Sequence, residues 1–204
     1  MAEFAQLKTL ELWYRALGAD ELLAGLPPEL RRRGVKRIEK EQAKSRGEEM
    51  FPKLVEHKGN IPVIKDQLPT IFHAEGHSPG EVQKAIRETF AGYRNTLSSS
   101  HQSLLDRYEL RDAAVKVVGV GSVGTLCWVL LLVAGEGDPL FIQVKEARRS
   151  VLEPYAGASV FPNHGQRVVN GYRLMQPASD MFLGWSKGPK RDFFVRQLRD
   201  IKIS

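Results

Sequence analysis

The sequence predicts an α+β fold, with a helical N-terminal half followed by an antiparallel sheet of about five strands and one helix packed on it. Three observations carry this prediction. Apolar residues recur at helical spacing in the first half, as at Phe4, Leu7, Leu10, Tyr14 and Leu17. From Ala113 onward, β-branched and bulky apolar residues gather into short runs separated by glycine turns. Helix-like and strand-like segments are segregated along the chain, which favours an antiparallel sheet over βαβ units.

The elements follow in order. The first apolar stripe predicts a helix over 3–17, and Asp20 is placed to cap a short helix over Glu21 to Leu26. Pro27-Pro28 open a long charged helix reaching roughly Glu49. The stretch from Phe51 to Phe72 holds Pro52, Pro62, Pro69 and the pair Gly59-Asn60, and reads as a loop or loose hairpin without regular elements. Ser78-Pro-Gly-Glu81 is a helix start: the serine caps, the proline fits the first turn, and the glutamate completes a capping box. Its stripe is Val82, Ile86, Phe90, Tyr93 and Leu97. Ser98-Ser-Ser100 breaks this helix, and a second runs from about Gln102 to Leu110.

Strands are predicted over Ala114–Val120, Thr125–Val133 and Leu140–Ala147, the last two joined by the turn Gly135-Glu-Gly-Asp-Pro139. Asn163 and Gln166 form another capping box and open a helix through about Gln176, with Val168, Val169, Tyr172 and Met175 as its apolar face and Pro177 as its stop. Met181–Trp185 and Asp192–Leu198 then flank the turn Ser186-Lys-Gly-Pro189. Two regions result, a helical one over 1–110 with an irregular segment at 50–77, and a sheet-forming one over 111–204. Both are read as parts of one larger domain.

With 204 residues and 42% hydrophobic composition, the chain can build a core without disulfides or metals. Its single cysteine, Cys127, lies in an apolar run and reads as a small buried hydrophobe. The net charge of +6 draws on Arg31-Arg-Arg-Gly-Val-Lys-Arg37, Lys40, Lys44 and Arg46. Interleaved Glu39, Glu41, Glu48 and Glu49 make this a solvated helix face. With no aromatic platform beside it, nucleic-acid binding is a weaker reading. The first residues lack an apolar signal region, and Leu126 to Ala134 is far short of the roughly 20 residues a membrane helix needs. The expected compartment is the cytoplasm.

The segment Val115-Lys-Val-Val-Gly-Val-Gly-Ser-Val-Gly-Thr125 carries the chemistry. Gly119, Gly121 and Gly124 form a G-x-G-x-x-G pattern after β-branched residues, with Ser122 inside it. Such glycines let backbone N–H groups approach phosphate oxygens. Three readings stand. In a dinucleotide-binding unit, a helix begins within the glycines, and Glu146 would serve as the ribose acid. In a protein kinase-like small lobe, the glycines tip a hairpin and a lysine on the third strand holds the α- and β-phosphates. The third is a tight hairpin without a ligand. The nine residues Thr125 to Val133 have no polar face, which suits a strand better than a helix. Lys145 falls 21 residues after Gly124, enough for one strand, a turn and most of the next. The kinase-like reading also requires a helix and then two strands after the lysine, which the pattern supplies. It requires an acid on that helix to hold the lysine. The segment 164–176 has none, and Asn170 and Gln176 are the polar candidates.

Other groupings carry less. His73-Ala-Glu-Gly-His77 lies in a loop that Gly76 and Pro79 keep non-helical, which argues against a metal site. Ser122 lacks the preceding glycine of a nucleophile elbow. Arg148-Arg149, Arg167 and Arg173 fall near the phosphate region; together they would add positive field there, and each singly reads as a solvated rim.

The stretches Ala2-Glu-Phe with Thr9-Leu-Glu-Leu-Trp-Tyr14, Leu105-Asp-Arg-Tyr108, Lys116 to Thr125, Pro139-Leu-Phe-Ile-Gln-Val-Lys-Glu-Ala147, Ser150-Val-Leu-Glu-Pro-Tyr155, Gly165-Gln-Arg-Val-Val169, Phe182-Leu-Gly-Trp185 and Val195 to Lys202 together resemble a bacterial family, domain of unknown function 2252. The resemblance implies a distant relationship to the protein kinase and aminoglycoside phosphotransferase fold. It also implies that this chain is the family's middle, without the upstream G-D-x-H-x-x-N and later N-D-F-D stretches that resemble catalytic and metal-binding acids. Asn170 stands where the family tends to have glutamate. The expectation is therefore a segment that binds ATP with Mg²⁺ through Gly119, Gly121, Ser122, Gly124 and Lys145 without turning over a substrate on its own. The alternative is a non-catalytic interaction fragment that associates with itself or with missing parts of its domain.

Overall fold

The computed structural model describes residues 23–25, 27–44, 53–73, 79–119, 124–175 and 180–198. The predicted helix over 3–17, the cap at Asp20, the cap at Ser78, the loop positions Gly121 and Ser122, and Gln176 lie outside these residues.

Helix α1 spans Pro28–Lys44, with proline in its first turn as expected. A hairpin of β1 (Val55–Lys58) and β2 (Ile61–Ile64) follows, turning at Gly59 and Asn60. Gly59 has φ 65°, in the left-handed region that favours glycine. Next come β3 (Ile71–Phe72), α2 (Pro79–Arg94), α3 (Ser99–Leu105) and β4 (Glu109–Lys116). Then β5 (Cys127–Val133) and β6 (Pro139–Ala147) form a hairpin. The short helix α4 (Glu153–Ala156), α5 (His164–Met175), β7 (Gly184–Lys187) and β8 (Asp192–Gln197) complete the described fold.

One sheet has six strands, in the order β3-β4-β5-β6-β8-β7, and every pairing is antiparallel. This corrects the expected count of about five, and the expected helical N-terminal half is interrupted by strands. Segment 53–73, expected to be irregular, contributes β1, β2 and β3. The β-branched Val55, Ile61, Val63, Ile64 and Ile71 outweigh the prolines there. Pro62 is accommodated because it pairs with His57 in a two-stranded ribbon, where a missing N–H disturbs no central ladder. The boundary between helix and strand also moves. Ser98 does not merely break a helix: its side chain accepts the His101 N–H at 3.4 Å and caps α3. That helix stops at Leu105, so β4 begins at Glu109, where helix had been expected.

Alternation along the strands divides the sheet into two faces. Leu130, Leu132, Leu140, Ile142, Val144, Phe193 and Val195 face Tyr93 of α2, Leu97 just beyond its end, and Leu105 of α3. The Tyr93 hydroxyl donates to Phe182 O at 2.7 Å and fastens α2 to the segment before β7. On the opposite face, Ala114, Val129, Leu131, Val133 and Phe141 pack with Val55, Ile64 and Ile71 of the hairpin region. Further along this second face, α5 packs on β6, β7 and β8, with Tyr172 and Phe194 ring centroids 6.3 Å apart. Gly165 permits this docking, because a Cβ at that position would lie 2.0 Å from Phe193 O.

Candidate functional site

The site is built on the β4–β5–β6 meander. The glycine segment links the end of β4 to the start of β5, so it tips a hairpin between adjacent antiparallel strands. Residues 127–133 are a strand, and 124–126 carry no helix. This corrects the dinucleotide reading, which needs a helix starting in the glycines. Among the described glycines of the loop, Gly124 has φ 76° and Gly119 does not enter the positive region. A Cβ at Gly119 would meet nothing within 4 Å. The backbone therefore demands glycine at 124, while glycine at 119 leaves open space beside the chain.

Lys145 pairs with Cys127 in the β5–β6 register and with Phe194 in the β6–β8 register. The lysine thus stands beside the foot of the glycine hairpin, on the face that α5 covers. The same face carries Gln143, which pairs with Val129 on one side and Arg196 on the other. Lys116 follows Val115, the partner of Trp128, and so falls on this face too. Three cations on three strands, Lys116, Lys145 and Arg196, surround Cys127 and Gln143. Gln143 is 4% exposed, its Nε2 donates to Cys127 Sγ at 3.3 Å, and its Oε1 accepts from Arg196 Nε at 3.1 Å. Burial pushes the Cys127 thiol up, against the opposing pull of Lys145, Gln143, Lys116 and Arg196. At 1% exposure, Cys127 is the small buried hydrophobe that the sequence suggested.

Glu146 points to the other face and grips the loop. Its carboxylate accepts Leu126 N–H at 2.9 Å, Arg148 Nε at 2.8 Å and Arg191 Nη1 at 2.6 Å. Arg148 Nη2 also donates to Gly124 O. The Arg148 hydrogen bond, acting against burial and joined by Leu126 N–H and Arg191, holds the Glu146 carboxyl down at about 2. With its oxygens committed to these donors, Glu146 is a structural anchor and not the ribose acid of the dinucleotide reading.

The remaining candidates separate. Asn170 Nδ2 donates to Gln166 O one turn back at 2.9 Å, an intrahelical bond. Arg167 Nη2 donates to Arg148 O at 2.8 Å. Arg173 donates to Leu183 O at 3.0 Å and lies 5.9 Å from the Trp185 ring, so it ties α5 to β7 and is not part of a phosphate rim. His73 is clamped between two carboxylates, with Nδ1 2.8 Å from Asp66 Oδ1 and Nε2 3.1 Å from Asp112 Oδ2. Asp112 also accepts Ile64 N–H at 2.6 Å, so this cluster fastens the hairpin region to β4. Among the described residues, no group of three or more His, Cys, Asp or Glu side chains is arranged to hold a metal. A cavity of about 750 Å³ lies at the other end of the β5–β6 hairpin, lined by Leu104, Arg107, Tyr108, Gly135, Asp138 and Pro139. Six residue steps along β6 separate Pro139 from Lys145, about 20 Å of strand, so this cavity is not part of the glycine site.

Sequence reasoning missed Lys116, Gln143, Arg196 and the Glu146–Arg191 contact. Strand alternation alone places Gln143 beside Lys145. Arg196 and Arg191 become neighbours only through the β6–β8 pairing, which no local pattern announces.

The whole chain, residues 1–204, matches the model of DUF2252, described as an uncharacterized protein conserved in bacteria, and the chain belongs to this family. No curated protein and no solved structure matches it. Among the described residues, no helix is long and apolar enough to cross a membrane.

Proposed function

We propose that this chain is a nucleotide-binding segment of a kinase-like phosphotransferase-family protein, taking the polyphosphate of ATP between the glycine hairpin and Lys145. The observation that carries the reading is the register: Lys145 lies opposite Cys127, the first strand residue after the loop. A lysine at the foot of the glycine connection suits an anion held between its ammonium and the loop's backbone N–H groups. Lys116 and Arg196 on the same face add positive charge, and the order of a lysine strand, a helix and two further strands agrees with a small-lobe arrangement. The residues fit a polyphosphate better than they fit a metal. A magnesium ion would arrive bound to the nucleotide, supplying charge neutralisation, since no acidic cage is present among the described residues.

A thermal-shift titration with Mg-ATP tests the reading. Binding at about 100 times Kd stabilises the fold by about 2.7 kcal/mol. No shift at millimolar nucleotide would count against the reading.

One observation favours a second reading, an interaction fragment. Val151, Leu152, Tyr155 and Val160, all in the connection between β6 and α5, are 83%, 63%, 88% and 87% exposed. Apolar exposure concentrated in one connection suits contact with another surface. Mass that rises with concentration in light scattering would support self-association, and a constant monomer mass would oppose it.

A further inference from the structure

We infer that Glu146 is a positioning residue that fixes the descending stem of the glycine loop level with Lys145; as a claim about ligand binding, this rests on the polyphosphate reading above. The geometry is local and specific. Lys145 and Glu146 are consecutive on β6, so alternation sends them to opposite faces of the sheet. Lys145 lies on the face that α5 covers, and Glu146 holds the strand-side end of the loop at Leu126 and, through Arg148, at Gly124.

Glu146 holds both backbone groups of Leu126. Its N–H donates to Leu126 O at 2.8 Å, and its Oε2 accepts Leu126 N–H at 2.9 Å. The side chain thus completes the ladder one residue beyond the end of β5. Arg148 extends the grip two residues further, bridging the carboxylate to Gly124 O. Gly124 sits at φ 76°, in the left-handed region that favours glycine. Arg191, brought over by β8, closes the carboxylate's remaining coordination at 2.6 Å. The Glu146 side chain is 7% exposed, while Arg148 and Arg191 are 55% and 48% exposed. The acid is therefore the enclosed hub, and the two guanidinium groups shield it from water.

This arrangement gives the carboxylate a task that size alone does not meet. Charge-assisted bonds to two arginines and one backbone N–H hold three segments in a single relative position. Glu146→Gln keeps the shape and one acceptor for Leu126 N–H but removes the charge that orders Arg148. The loop stem should then open more often, although the strands persist.

Hydrogen exchange on ligand-free protein tests the inference independently of nucleotide binding. Amides in the peptide covering 124–127 should exchange about tenfold faster in Glu146→Gln than in the wild type, with β8 amides little changed. Arg94→Ala, which removes the α2–α3 ion pair with Asp106, serves as the control for general destabilisation and should leave 124–127 protected. If Glu146→Gln fails to fold, Arg148→Ala provides the same readout through Gly124. Unchanged protection of 124–127 in the folded variant, or equal acceleration in the Arg94→Ala control, overturns the inference. Calorimetry with Mg-ATP then separates the two claims. A wild type that binds, with Kd raised about tenfold in Glu146→Gln, supports both. A wild type that does not bind, together with the exchange result, removes the polyphosphate reading and leaves Glu146 as the residue that orders the loop.

Discussion

Glu146 satisfies both backbone groups of Leu126, one through its own N–H and one through its carboxylate. A buried acid that completes a ladder in this way must stay ionised to keep its two arginines in place.

That requirement has a pH signature. The folded Glu146 carboxyl titrates at about 2, below its ordinary 4.5. A depressed folded value means the stabilisation is fully present above 4.5 and is lost as pH falls toward 2. Thermal melting of the wild type should drop more steeply over this window than melting of Glu146→Gln. Parallel profiles would contradict the assignment.

His73 gives the opposite dependence. Each ring nitrogen faces a carboxylate oxygen, so the geometry calls for two N–H donors, the imidazolium form. Burial pulls its pKa down, but the hydrogen bonds and charges of Asp112 and Asp66 more than offset this and raise it above 6.5. Lys58 also acts on Asp66. A raised folded value means the stabilisation is full below 6.5 and fades as pH rises through the folded pKa. Wild-type stability should decline on the alkaline side of 6.5 relative to His73→Asn, as read by chemical denaturation at several pH values. A constant difference between the two would count against the clamp.

The two described loop glycines should behave differently. Gly124→Ala forces a side chain into the left-handed region and should cost about 1–2 kcal/mol of stability. Gly119→Ala meets open space and should leave stability within about 0.5 kcal/mol, while weakening Mg-ATP binding if a phosphate approaches that backbone. Equal stability losses at both positions would refute this division of roles.

Gly165 has a packing role. A methyl there would strike Phe193 O, so Gly165→Ala should destabilise by about 2 kcal/mol or more and loosen α5 from β8. Denaturant melts measure the loss, and a neutral result would show that α5 docks otherwise.

The central strands were legible in the sequence because their signals are local. The β5–β6 hairpin follows from apolar runs around Gly135–Pro139, and its observed bounds lie within two residues of those expected. Helix α5 and strand β8 likewise begin at or beside their expected starts. The hairpin region was obscured because proline and glycine mark turns and strand edges alike. Strand β3 is only two residues long and exists by pairing with the end of β4. The start of β4 was hidden because α3 ends early, with the Asp106 side chain turned back to Arg94 through two 2.6 Å bonds. In the site, Lys145 was visible as a lone cation in an apolar strand. Arg191 beside Glu146 and Arg196 beside Gln143 were not, since β8 joins β6 across two intervening helices and a strand.

The most direct test of the account is the calorimetric affinity of Mg-ATP for the wild type beside that for Lys145→Ala. The account predicts measurable binding to the wild type and a loss of at least about tenfold in the variant, equivalent to about 1.4 kcal/mol. Equal affinities in the two proteins, or no binding to a folded wild type, would contradict it.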